Sequence, residues 1–287
     1  MSLSSNSLFH FTSSLDTVKN ILTDKFYGSF CKEVLHYKTE AVPLIIPMIS
    51  FCDIPLTTIA RYNKYGKYGI GLKKDWGIKN QLNPVFYLEK NSSLADSLIK
   101  SLYASLDIIS FSEPHLTQIK KRIDAVNSNR NYNQILKKQE LQKLQQELKR
   151  HDNMANSMRH IIYSLFYTKH YSDDLERNGQ VINDYRFYDE REWRFLPEFE
   201  CAVCELRRTD EEYKQWRGDP TKPKPILPEV NLSFCFADIE HIIIEKNDEA
   251  KIIRDIIKSI PDDKCPQDAK EDLYSKIISF EKIEHDL

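Results

Sequence analysis

Between residues 93 and 171 the chain has no glycine and one proline, Pro114, and this stretch constrains the fold more than any other. Leu116, Ile119, Ile123 and Val126 recur at i, i+3, i+7 and i+10, and Leu141, Leu144 and Leu148 keep the same rhythm. Met154, Met158, Ile161 and Leu165 extend it. That period puts the apolar side chains on one stripe of a helix. The run Asn127-Ser-Asn-Arg-Asn-Tyr-Asn133 is rich in turn formers and predicts the bend between two antiparallel helices. From Leu116 to His170 there are eleven Lys/Arg against four Asp/Glu, a local charge of +7.

The flanks read differently. Leu8–Thr12, Ile45–Asp53, Tyr68–Leu72 and Asn83–Leu88 combine β-branched and aromatic residues with bounding Gly, Pro or Asn, the pattern of strands. Ser14 or Asp16 caps a first helix with Leu15, Val18, Ile21 and Leu22 inward, and a short helix covers Thr57–Tyr65. Past the helical stretch, Asp189–Leu196, Cys201–Leu206 and Ile239–Glu245 read as strands, and Trp216–Pro228 as a proline-rich loop. Asn247 or Asp248 then caps a helix with Ile252, Ile253, Ile256 and Ile257 inward. Strands, then helices, then strands imply an α+β fold: one domain over residues 1–287 with a helical insertion at 93–171.

Composition removes several alternatives. With 41% hydrophobic and 29% charged residues, 287 residues can bury a core, and a net charge of −2 leaves only local patches for a polyanion. Seven glycines and no GxGxxG or GxxxxGK[ST] string argue against Rossmann and P-loop sites. The start MSLSSNSLFHF lacks a secretory pattern, and no apolar run reaches the roughly 20 residues of a membrane span. Six cysteines without a framework fit a reduced, cytoplasmic protein. Cys201 and Cys204 lack a second pair, and in a strand residues three apart face opposite ways, so no metal is expected.

Three pieces carry candidate chemistry. His10 lies between Phe9 and Phe11, so in a strand its imidazole points away from both rings; a hydrogen-bonded or surface histidine is the plainer alternative. Tyr62, Tyr65 and Tyr68 surround Gly66, Gly69 and Gly71, which would let a ligand approach the backbone; a tyrosine-rich turn into a strand reads equally. Glu190 and Glu192 share a face if the segment is extended, and adjacent acids can split their pKa values for acid–base work. The same residues could form a solvated charged turn paired with Arg191 and Arg194. A metal-dependent nuclease using Asp53, Glu190 and Glu192 is the weakest reading.

The strings Leu8-Phe-His-Phe-Thr12, Ile49-Ser-Phe-Cys-Asp-Ile-Pro-Leu56, Tyr68-Gly-Ile-Gly-Leu72, Asn83-Pro-Val-Phe-Tyr87 and Glu190-Arg-Glu-Trp-Arg194, in this order, resemble the AbiGi family of abortive phage-resistance proteins. More distantly they are similar to DarT-type toxins, which ADP-ribosylate nucleic acid. The resemblance implies an ADP-ribosyltransferase-like split sheet and an NAD-dependent toxin of phage defence that modifies RNA, single-stranded DNA or a protein. On that analogy His10 holds a ribose of NAD, Tyr68 or Tyr65 stacks on nicotinamide, and Thr12 and Ser50 add cofactor contacts. Glu192 stabilises the ribosyl cation, and Glu190 orients or deprotonates the acceptor. Lys120, Lys121, Arg122, Lys137, Lys138, Lys149, Arg150, Arg191 and Arg194 become candidate acceptor contacts; a solvated face or a protein-docking surface is the alternative for the helical cations. The resemblance also implies a cognate antitoxin or neighbour-encoded partner. The rival reading is that the chain is itself a non-catalytic antitoxin or partner-binding module.

Overall fold

The computed structural model describes residues 5–38, 40–177, 180–198, 209–219, 222 and 224–286. Its strands and helices follow in chain order as β1 (Ser7–Thr12), α1 (Leu15–Thr23), β2 (Phe26–Tyr37), β3 (Glu40–Cys52), β4 (Tyr68–Lys73), α2 (Lys74–Lys79), β5 (Asn83–Pro84) and β6 (Phe86–Leu88). Next come α3 (Ser93–Ser128), α4 (Gln134–Leu165), β7 (Thr168–His170), β8 (Asp173–Arg177), β9 (Gln180–Tyr185) and β10 (Glu192–Phe195). The chain closes with α5 (Asp210–Arg217), β11 (Leu227–Leu232), β12 (Ile239–Ile244), α6 (Ala250–Ser259), α7 (Gln267–Ser275), β13 (Ile277–Ser279) and α8 (Phe280–Asp286). The class is α+β. Two compact units result: Met1–Val34, Pro43–Glu89 and Lys169–Leu287 form one, Leu35–Val42 and Lys90–Thr168 the other.

The first unit is built on a sheet that runs β11-β2-β3-β1-β4-β12-β13, with β10 pairing antiparallel to both β3 and β5. Successive side chains of a strand face opposite ways, and here both faces are covered. Leu8, Ile70, Leu72 and Ile242 enter the main core with Val18, Ile21, Leu22 and Trp76. Phe9 and Ile243 enter a second core with Ile54, Ile59 and Phe280. Ser14 caps α1, its hydroxyl accepting from the Asp16 amide.

The glycines of β4 serve this packing. A Cβ on Gly71 would stand 2.7 Å from the Phe9 ring, and one on Gly69 would stand 3.2 Å from the Phe11 ring. The space expected for a ligand is therefore filled by the protein's own aromatics from β1.

Several elements depart from the sequence reading. β2 is an added strand: its buried Phe26, Gly28 and Phe30 alternate, but a glycine breaks the apolar signal in the sequence. The segment 189–196 is not one strand, because a 3-10 turn over Phe187–Glu190 precedes β10. Trp216 belongs to α5, where it meets Phe30 edge-on at 4.9 Å, and the loop begins only at Gly218. The proposed strand Cys201–Leu206, and with it Cys201 and Cys204, lies outside the described residues.

In the second unit α3 and α4 pack on each other across the bend at 129–133. Leu141, Leu144, Leu148, His151, Ala155, Met158, Ile162 and Leu165 are buried or half-buried, at steps of three and four, the repeat of a coiled coil. Ile119, Val126 and Leu144 form its core near the bend, flanked by Ile123, Leu141 and Leu148. Among the described residues, no helix is long and apolar enough to cross a membrane.

Candidate functional site

The site centres on residues 187–195. After the 3-10 turn Arg191 adopts a left-handed conformation, φ 46° and ψ 53°, uncommon for a residue with a Cβ. The surrounding backbone pins this kink. The Asp53 N–H donates to the Arg191 carbonyl (3.1 Å) and the Val85 N–H to the Glu192 carbonyl (2.9 Å). The Glu192 N–H donates to the Tyr87 hydroxyl at 2.8 Å. Along β10, Glu192 and Arg194 are buried, while Trp193 and Phe195 pack on the main core. Glu190 and Glu192 are thus brought together by a kink rather than by strand alternation.

Their meeting point is Lys169 on β7. Its ammonium donates to Glu190 at 3.2 Å and to Glu192 at 2.8 Å. Arg194 donates through Nε to Glu192 (2.7 Å), and through Nη2 to Glu192 (3.2 Å) and to Glu33 of β2 (2.8 Å). Lys169 also lies 3.7 Å from Glu33, and the Tyr65 hydroxyl donates to Glu190. The side chains of Glu190, Glu192 and Arg194 are 3%, 4% and 0% exposed, so solvent screens these charges little.

Burial alone would raise the Glu192 carboxyl. The Arg194 guanidinium and the Lys169 ammonium outweigh it and hold the group down at about 2. Glu190 moves the other way: burial raises it, Lys169 only partly opposes, and the charge on Glu192 adds to the rise. Lys169 would be lowered by burial, but Glu190, Glu192 and Glu33 raise it well above an ordinary lysine. Burial, then the charge of Glu190, pushes the Tyr65 phenol up. Three acids and two bases leave the cluster one negative charge in excess, and the raised carboxyl of Glu190 is where a proton would offset it. The arrangement links β2, β7 and β10 through paired charges. Each carboxylate already serves a buried cation, and breaking such a pair is costly.

Of the residues expected to bind NAD, Tyr65 joins this cluster through Glu190, and Ser50 lies opposite Arg194 across β3 and β10. The His10 Nδ1–H donates to the Ser50 carbonyl at 2.9 Å, since a carbonyl can only accept, and the ring packs against Phe26 and Phe51. Burial lowers its pKa against that bond. Thr12 accepts from the Ser14 amide. The Tyr68 hydroxyl donates to Glu249 (2.8 Å) and Glu245 (3.3 Å), whereas Tyr65 serves Glu190; the Tyr62 side chain lies outside what is described. Each of His10, Thr12, Tyr65 and Tyr68 thus has a protein partner in this structure.

The expected acceptor contacts divide. Arg194 is corrected outright, because a guanidinium with no exposed surface cannot touch an acceptor. Arg191 is half-buried at the kink. Lys120, Lys121, Arg122, Lys138, Lys149 and Arg150 are exposed on α3 and α4, and Lys137 donates to the Asn127 carbonyl. Asp53 accepts from Lys74 at 2.8 Å, apart from the glutamates' cations, and no group of metal-ligating side chains occurs among the described residues. Sequence reasoning missed Glu33, Tyr87 and Lys169. In the sequence Lys169 falls at the end of the basic helical stretch, and its one signal is a lysine inside the aromatic run Phe166–Tyr171.

Fold and site define an α+β protein with a buried charged cluster at β10. The chain belongs to the AbiGi family: the family model described as "Putative abortive phage resistance protein AbiGi, antitoxin" matches residues 24–245. It is 26% identical over 278 residues to "Abortive phage resistance protein AbiGi" of Lactococcus lactis subsp. cremoris, covering 88% of this chain and 95% of that protein. No solved structure matches. The expectation of an NAD-dependent ADP-ribosyltransferase toxin is thereby corrected. The family is described as an antitoxin, and nothing in the comparisons supports a likeness to ADP-ribosyltransferases or DarT-type toxins.

Proposed function

We propose that this protein is the non-catalytic antitoxin of a phage-defence system, a cytoplasmic binding module that restrains a toxin encoded beside it. The observation that carries this reading is the closure of the Glu190–Glu192 pair. Both carboxylates are buried and bonded to Lys169, with Arg194 on Glu192 and Tyr65 on Glu190. A general base or an electrostatic stabiliser must reach the reacting atoms, and these two are sealed by their own partners. The family description as an antitoxin supports the same reading.

The test is growth. The neighbour-encoded protein is induced alone and together with this chain. The reading expects arrest in the first case and rescue in the second, with no effect of this chain on its own. Arrest by this chain alone, relieved by Glu192→Gln, would overturn it.

A further inference from the structure

We infer that the bend end of the helical pair, residues 116–150, is the surface that grips the toxin, and that it fits an acidic protein face with an apolar centre. The inference rests on the antitoxin reading and says where the partner binds. Charge is segregated along α3 and α4. Residues 116–150 carry nine Lys/Arg against three Asp/Glu, a charge of +6, whereas 93–115 and 151–165 together carry two against four, a charge of −2.

The two ends also differ in pairing. Away from the bend both cations are neutralised: Lys100 by Asp96 at 2.7 Å, and Arg159 by Glu113 at 3.2 Å. Near the bend Lys120, Lys121, Arg122, Arg130, Lys137, Lys138, Lys143, Lys149 and Arg150 form no ion pair among the described residues. Asp124, Glu140 and Glu147 stand three or four residues from Lys120, Lys121, Lys137 and Lys143, yet none of them closes an ion pair with these cations, unlike Asp96 with Lys100. Uncompensated like charges repel within the fold and steer an oppositely charged partner from outside.

An apolar pair stands at the same end of the helices. Ile135 is 70% exposed, the most of any large hydrophobic side chain described, and Leu136 beside it is 57% exposed. Asn133 caps α4, its side chain accepting from the amides of both residues, so the pair is held at the start of a helix. At about 1.5 Å per residue, Lys120–Arg122 stand about 10 Å from the bend. An apolar centre with a charged rim is the layout of a protein interface. Ile135 and Leu136 offer a phosphate backbone no hydrogen bond, and this favours a protein over nucleic acid.

The experiment measures association of the purified full chain with the purified neighbour-encoded protein at low and high salt. Two variants are compared with wild type: Lys120→Glu/Lys121→Glu/Arg122→Glu, and Ile135→Ser/Leu136→Ser. Far-UV circular dichroism checks that the helices are kept. The charge reversal should slow association roughly tenfold and flatten its salt dependence. The serine pair should leave association alone and speed dissociation roughly tenfold. A complex that forms and decays in both variants as in wild type overturns this surface assignment while leaving the antitoxin reading in place. Wild type that forms no complex, binds only RNA or DNA, or pairs only with a second copy of itself overturns both.

Discussion

Charge is handled in opposite ways in the two units. In the sheet unit Glu33, Glu190, Glu192, Lys169 and Arg194 satisfy one another out of solvent. In the helical unit nine cations near the bend form no ion pair among the described residues. A buried charge compensated from within is costly to unpair and has nothing left for a substrate. A charge left uncompensated outside contributes little to folding and is available to a partner. The sequence alone points the other way, because the compact Glu190-x-Glu192 pair looks reactive and the diffuse helical cations look like an ordinary solvated face.

The variants that sharpen this contrast differ in size. Arg194→Met should have the largest effect, about 3–5 kcal/mol of lost stability, because it strands Glu192 with Lys169 alone. Urea unfolding at neutral pH measures it, and a loss under about 1 kcal/mol would show the cluster to be loosely held. Glu192→Gln should cost about 2 kcal/mol by removing a charged acceptor from two cations. Its pH profile is the sharper test. A carboxyl held at about 2 when folded, against roughly 4.3 when unfolded, adds stability above the unfolded value that is lost as pH falls toward 2. Wild type should therefore lose stability through that window, and the variant should be flatter there.

Glu190→Gln should be milder and of opposite trend. A group whose folded pKa is raised favours the folded state below its unfolded value and loses that contribution as pH rises through the folded one. Thermal melts at increasing pH should show the variant gaining on wild type, to within about 1 kcal/mol. The charge reversal at Lys120, Lys121 and Arg122 should be smallest in stability, within about 0.5 kcal/mol, although it should slow association with the partner roughly tenfold. A large loss of stability there would mean that these cations serve the fold after all.

Local patterns were legible where one period ruled a segment. β1, the Ser14 cap of α1, β12 and the two helices about the Asn-rich bend all lie where apolar spacing and turn chemistry place them. β2 was not legible, because Gly28 interrupts its alternation and its second half is polar. The site was half legible. Glu190, Glu192, Tyr65 and Arg194 are named by their own segments, but their meaning depends on Lys169 and Glu33, which come from strands remote in sequence. No local pattern could show that the carboxylates were already taken, since that follows from β10 pairing with β3 and from the left-handed turn at Arg191.

The most direct test of the account is rescue of growth from the neighbour-encoded toxin by wild type, by Glu190→Gln and by the Lys120/Lys121/Arg122 reversal, at matched soluble levels. Rescue by wild type and by Glu190→Gln, with failure of the reversal, is the predicted result. A soluble, folded Glu190→Gln that no longer rescues, beside a reversal that does, would contradict it and return function to the buried acids.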